Sequence, residues 1–100
     1  MAAFPIRVVY ILKECAKADE PPLQLLISVP KRRFKHAVDR NRVKRQLREA
    51  YRHHRHQLAD NVPDCQSIKM AFIWLSDQHF PSAAVDNRVR SLLTRIAKQL

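Results

Sequence analysis

The sequence predicts an α+β fold, a two-layer α/β sandwich of helices on a mixed sheet in the order β-β-α-β-α. Three observations carry the prediction. Two β-branched runs lie near the N-terminus, a nearly unbroken apolar run spans 67–75, and two further segments repeat apolar residues at helical spacing. A chain of 100 residues that is 46% hydrophobic has material for a single core. Residues 1–100 are therefore expected to form one domain.

Ile6 to Leu12 reads IRVVYIL, β-branched and aromatic as strands are. Lys13 to Pro22 is charged, ends in a Pro-Pro pair and reads as a connection. Leu23 to Val29, LQLLISV, is a second strand stopped by Pro30. The link between them suits an antiparallel hairpin with a long loop. A helix is expected to begin between His36 and Asp39, where the Asp39 carboxylate suits the positive end of the dipole. Val43, Leu47, Ala50, Tyr51, His54 and Leu58 fall on one face of it. Asn61 to Asp64 reads as a turn. Ser67 to Leu75, SIKMAFIWL, has the continuity of a strand buried on both faces, with Phe72 and Trp74 in the core. After the loop SDQHFPS, Ser82 is the candidate N-cap of a last helix. Val85, Val89, Leu92, Leu93, Ile96 and Leu100 form the face of that helix expected to pack on the sheet. The second strand, the first helix and the third strand make a βαβ unit, so those two strands should be parallel.

The net charge is +10, and its placement is uneven. Lys31 to His56 holds eleven Lys and Arg against two acids, a surplus of nine. On the first helix Lys44, Arg45, Arg48, Arg52 and Arg55 take the flank and back, opposite the apolar seam. A field so concentrated repels itself unless a polyanion neutralises it. Nucleic acid fits better than a membrane, because the polar side of the helix lacks the bulky apolar groups that enter lipid. Guanidinium groups bind two phosphate oxygens at once and stay charged at any physiological pH. Asn41, between Arg40 and Arg42, brings one donor and one acceptor for a 2′-hydroxyl, a base edge or a neighbouring side chain.

Other chemistries find little support. No glycine is present, which removes P-loops and Rossmann turns. No run reaches the ~18 apolar residues of a membrane span, and the N-terminus lacks the layout of a signal peptide. The chain is therefore expected in the cytoplasm, with Cys15 and Cys65 as free thiols. His53, His54 and His56 have no Cys or acid placed with them as a metal-binding set, so no protein-bound metal is expected. A strand, not a helix, precedes the basic helix, which argues against a helix-turn-helix on DNA.

The segment ISVPKRRFKHAVDRNRVKRQLREAYR resembles the signature of bacterial ribonuclease P protein components. There a strand ending in small and basic residues runs into a helix reading Ala-Val, one variable residue, Arg-Asn-Arg, one apolar residue and Lys-Arg. Ala37, Val38, Arg40, Asn41, Arg42, Lys44, Arg45, Arg48 and Glu49 match it, and the order of elements agrees from Phe4 onward. The resemblance implies an accessory protein subunit of an endoribonuclease in which the RNA subunit is the catalyst and removes the 5′ leader of precursor tRNA. It implies Mg²⁺ bound mainly through that RNA, and the catalytic RNA and precursor tRNA as partners, with no protein partner. Lys31, Arg32, Arg33, Lys35, Arg40, Asn41, Arg42, Lys44, Arg45, Arg48 and Arg52 become the RNA-binding set, and no side chain is given a catalytic role. Tyr10 matches a position where the family presents an aromatic to the leader; as an ordinary strand residue it would be a core or cross-strand partner. The family's βαβ crossover is left-handed, against the general rule, and the same is expected here. Its leader cleft is walled by an amphipathic helix ahead of the first strand. This sequence opens on Met1-Ala2-Ala3-Phe4, so that wall is expected to be missing and the sheet face beneath it exposed. Lys35-His36 stands where the family carries a glycine. The alternative reading is an RNA-binding module without a processing role, either ribosome-associated or a general binder of structured RNA.

Overall fold

A computed structural model describes residues 1–14, 23–62 and 66–100. The strands are β1 (Ala2–Ala3), β2 (Ile6–Glu14), β3 (Leu23–Ser28) and β4 (Gln66–Trp74); the helices are α1 (Ala37–Ala59) and α2 (Ser82–Gln99). The strands form one mixed sheet in the order β1-β2-β4-β3, with β2 antiparallel and β3 parallel to β4. The two-layer α+β order read from the sequence is the order observed, with β1 added at the edge. Two residues are too short to show any period, and β1 is fixed instead by pairing Ala2 with Arg7 and Ala3 with Ile6.

The expected hairpin between the first two long strands does not form. β4 lies between them, pairing Ile6 to Glu14 on one side and Leu23 to Ser28 on the other. The most buried of the long strands takes the middle, where both rows of its backbone groups find partners. Cys15 and most of the 13–22 connection lie outside the described residues, as do Cys65 and the second half of the Asn61–Asp64 turn.

Central in the sheet does not mean covered on both faces, and here β4 departs from expectation. Ile68, Met70, Phe72 and Trp74 are buried, whereas Lys69 is exposed and Ala71 and Ile73 only half-buried. Both helices join the same core as Ile6, Val8, Phe72 and Trp74, through Val43, Leu47 and Leu58 of α1 and Val85, Val89, Leu92, Leu93 and Ile96 of α2. One sheet face therefore carries the helices and the other is open. Trp74 and Tyr51 meet Phe80 and Phe72 edge to face, at 5.7 and 6.2 Å between ring centroids, a favoured aromatic geometry. Burial pushes the Tyr51 hydroxyl up, against the opposing charge of Arg55, so it stays protonated.

Two details at the helix ends correct the sequence reading. Ser82 is the first helical residue of α2, with Pro81 at the cap position. Its hydroxyl accepts instead from Gln46 Nε2 at 3.1 Å, and the same Gln46 nitrogen donates to the Phe80 carbonyl at 3.1 Å. Buried Gln46 thus ties α1 to the start of α2. Leu100, placed by periodicity on the apolar face, is exposed.

Candidate nucleic-acid interface

α1 begins at Ala37 after His36, whose φ of −95° and ψ of 138° are ordinary extended values. The turn therefore makes no demand for glycine at that point, which explains how Lys35-His36 fills it. Asp39 lies in the first turn, at the positive end of the dipole. Val43, Leu47, Ala50 and Leu58 face the core, and this burial fixes how the helix is rolled. The opposite side then points to solvent.

That side carries Asn41, Arg42, Arg45, Arg48 and Arg52, all exposed, with Lys44 half-buried beside them. Arg42 to Arg52 spans about 15 Å along the axis at about 1.5 Å per residue. No side chain of these six makes a hydrogen bond or ion pair within the described residues. Glu49 and Asp39, the acids of α1, leave the arginine row unneutralised. Lys31, Arg32 and Lys35 are exposed just ahead of the helix and extend the cationic surface.

Two predicted members of the set are engaged internally. Arg40 is half-buried, and its Nη1 donates to the carbonyls of Phe34 at 2.8 Å and Lys35 at 3.1 Å. It closes the turn leading into α1. Arg33 Nη1 pairs with Asp77 Oδ1 at 3.3 Å. Each tie commits donors that a phosphate would otherwise take, so these two residues shape the surface more than they project from it.

Tyr10 lies opposite Met70 in the β2–β4 register, so it points to the helix-bearing face. It is half-buried and its hydroxyl donates to Gln99 Oε1 near the end of α2. Packing on the core and a bond to α2 are what the core reading of Tyr10 describes. The open face is formed by the residues between: Val9, Ile11 and Leu26 are 47%, 57% and 67% exposed. With Gln24, Lys69 and Ala71 they line a shallow depression of about 380 Å³, which Tyr10 also borders. The apolar run of β4, read as doubly buried, gave no sign of this face; the family resemblance alone led to expecting an exposed one.

Two of the three histidines of α1 reach across to α2. His54 Nε2 donates to Asp86 Oδ2 at 2.9 Å and His53 Nδ1 to Asp86 Oδ1 at 3.3 Å, so the pair clasps α2. The His54 hydrogen bond, opposed by burial and aided by His53, holds the Asp86 carboxyl below its usual range. A depressed carboxyl stabilises the fold at any pH above its unfolded value, and that contribution is lost as pH falls through the folded value. Asp86→Asn is expected to lower Tm at pH 7, with the difference from wild type closing below about pH 4; thermal melts across pH measure it. A gap that persists undiminished in acid would remove the carboxylate from the account.

A helix rolled by its core contacts so that an unpaired guanidinium row faces out, on a sheet with one free face, defines a protein built for a polyanionic partner. Comparison with known proteins makes this specific. The ribonuclease P family model matches residues 3–97, and the chain belongs to that family, the protein component of the endoribonuclease that matures tRNA 5′ ends. The ribonuclease P protein component of Porphyromonas gingivalis strain ATCC 33277 is 41% identical over 95 residues, covering 94% of this chain and 68% of the relative. That of Chlorobium phaeobacteroides is 50% identical over 42 residues, 42% of this chain and 29% of its own length. The RNase P protein from Thermotoga maritima superposes with a TM-score of 0.63 over 88% of this chain and 76% of that one, at 19% identity; that likeness is one of fold. Among the described residues no helix is long and apolar enough to cross a membrane.

Proposed function

We propose that residues 1–100 act as one RNA-binding domain, the accessory subunit of ribonuclease P in the cytoplasm. α1 holds the catalytic RNA through Arg42, Lys44, Arg45, Arg48 and Arg52, with Asn41 reading a 2′-hydroxyl or buttressing its neighbours. Lys31, Arg32 and Lys35 extend that contact. The open sheet face meets the leader of precursor tRNA with Val9, Ile11 and Leu26, a role that the orientation of Tyr10 does not favour for its own ring. The observation that carries this reading is the exposed arginine row of α1, which has no acidic partner among the described residues.

Bond cleavage belongs to the RNA in this reading. The proposed surface is cationic and offers Mg²⁺ no oxygen-rich ligand set, so the ion is held by the RNA. The protein neutralises phosphates and positions two RNAs together, which reduces the Mg²⁺ needed to hold them. Adding the chain to a cognate catalytic RNA at low Mg²⁺ is expected to raise precursor tRNA cleavage. Equal cleavage with and without it would sink the processing role and leave the general structured-RNA binder. Filter binding to structured RNA, single-stranded RNA and duplex DNA at fixed salt separates that alternative.

A further inference from the structure

The loop between β4 and α2 carries no charge surplus and no motif, yet it reaches the cationic surface at two points. Asp77 holds Arg33, as described. Two residues on, the His79 ring lies flat on Phe34, with centroids 4.6 Å apart and planes inclined by 17°. A carboxylate can only accept, so His79 Nε2 donates to Asp39 Oδ1, at 3.0 Å. Ser76 Oγ accepts from the Gln78 backbone N–H at 3.0 Å and folds the loop back on itself.

Phe34 is only 7% exposed and anchors the 31–35 segment, whose Lys31, Arg32 and Lys35 are exposed. Asp39 stands in the first turn of α1. From the β4–α2 loop, His79 touches both. Without it, Phe34 would still seek burial and Asp39 would still suit the helix dipole. Arg40 already ties α1 to the Phe34 and Lys35 carbonyls within the turn; the His79 ring, stacked on Phe34 and bonded to Asp39, adds a second brace from outside it that limits the angle between the two cationic elements.

We propose that His79 is a positioning residue for RNA binding: stacked on Phe34 and bonded to Asp39, it fixes the 31–35 segment against α1 so that both engage one RNA backbone together. This rests on the RNA-binding reading of α1 above. Two separately tethered cationic elements bind a polyanion weakly, because each must be ordered at the moment of contact. Pre-set, they neutralise phosphates as one surface. The consequence is specific: His79 touches no phosphate, yet its loss lowers the number of phosphates engaged.

The test uses the full chain, a cognate catalytic RNA as probe, binding measured across salt concentration, and thermal melts in parallel. His79→Ala is expected to weaken binding roughly 5- to 10-fold and to flatten the log–log salt slope by about one to two, at roughly 0.7–0.9 per phosphate. His79→Phe keeps a stacking ring and His79→Gln keeps a donor, so each should recover part of the slope. In a chain already carrying Lys31→Ala, Arg32→Ala and Lys35→Ala, adding His79→Ala should change the slope no further. A lowered Tm with a wild-type slope would reduce His79 to a stabilising role and overturn the proposal, as would a slope change that adds in full to that of the triple variant. Should His79→Ala fail to fold, His79→Phe and His79→Gln decide by the same criteria. Arg42→Ala, Arg45→Ala and Arg48→Ala, combined, run alongside. If they flatten the slope and the His79 variants do not, positioning alone fails; if neither does, the reading of α1 fails first.

Discussion

Replacing Arg42, Arg45 and Arg48 together by Ala is expected to lower affinity for the catalytic RNA roughly 100- to 1,000-fold, at about 1–1.4 kcal/mol for each solvent-exposed contact, within the ordinary net range for one hydrogen bond. The salt dependence should flatten with it, by about two to three in the log–log slope, if each guanidinium neutralises one phosphate at roughly 0.7–0.9 per contact. The fold should not suffer. None of the three is paired within the described residues, and removing like charges from one face relieves self-repulsion. Tm is therefore expected to hold or rise. The measurement is binding across salt concentration with a melt of each variant. An unchanged slope would take these residues out of the interface; a collapse in Tm would mean that they support the fold in a way no contact in the structure accounts for.

What could be read from the chain alone follows from how far each signal reaches. The roll of α1 was legible because Val43, Leu47 and Leu58 repeat with the helical period, and burial of that seam decides where Arg45 and Arg48 point. Phe72 and Trp74 were legible as core from a different local signal, their alternation within an apolar strand. Strand order was not legible. β2 and β3 are both adequate partners for a hairpin, and only the demand of β4 for partners on both edges separates them. Nor could an apolar run at 67–75 say whether one or both faces are covered, since that depends on α1 and α2 lying on the same side.

The limits within the interface have the same origin. Composition counted Arg33 and Arg40 with the other cations, but a count cannot see the Asp77 carboxylate or the carbonyls of Phe34 and Lys35 that hold them. His79 lies 40 residues beyond Asp39, in a stretch with no period and no motif. Its contacts exist only because β4 returns the chain to the side of the sheet where α1 begins. Tyr10 shows the converse: the alternation of β2 contained the answer, since Ile6 and Val8 share its parity and both are buried.

Leu47→Ala is expected to act on the other side of the same helix and to give the opposite pattern. Leu47 is fully buried, and truncating such a residue removes about 2–5 kcal/mol through lost burial and the cavity left behind. Against a total of about 5–15 kcal/mol for a domain, the urea midpoint should fall sharply while the m-value holds. The folded fraction, measured where it still dominates, should bind RNA with the wild-type salt slope, because no phosphate-facing group has changed. The arginine variants lose slope and keep stability; this one loses stability and keeps slope. If folded Leu47→Ala also flattened the salt dependence, the apolar seam would be setting the arginine geometry through small shifts in roll. The two faces of α1 would then act as one coupled element and not as separable anchor and grip.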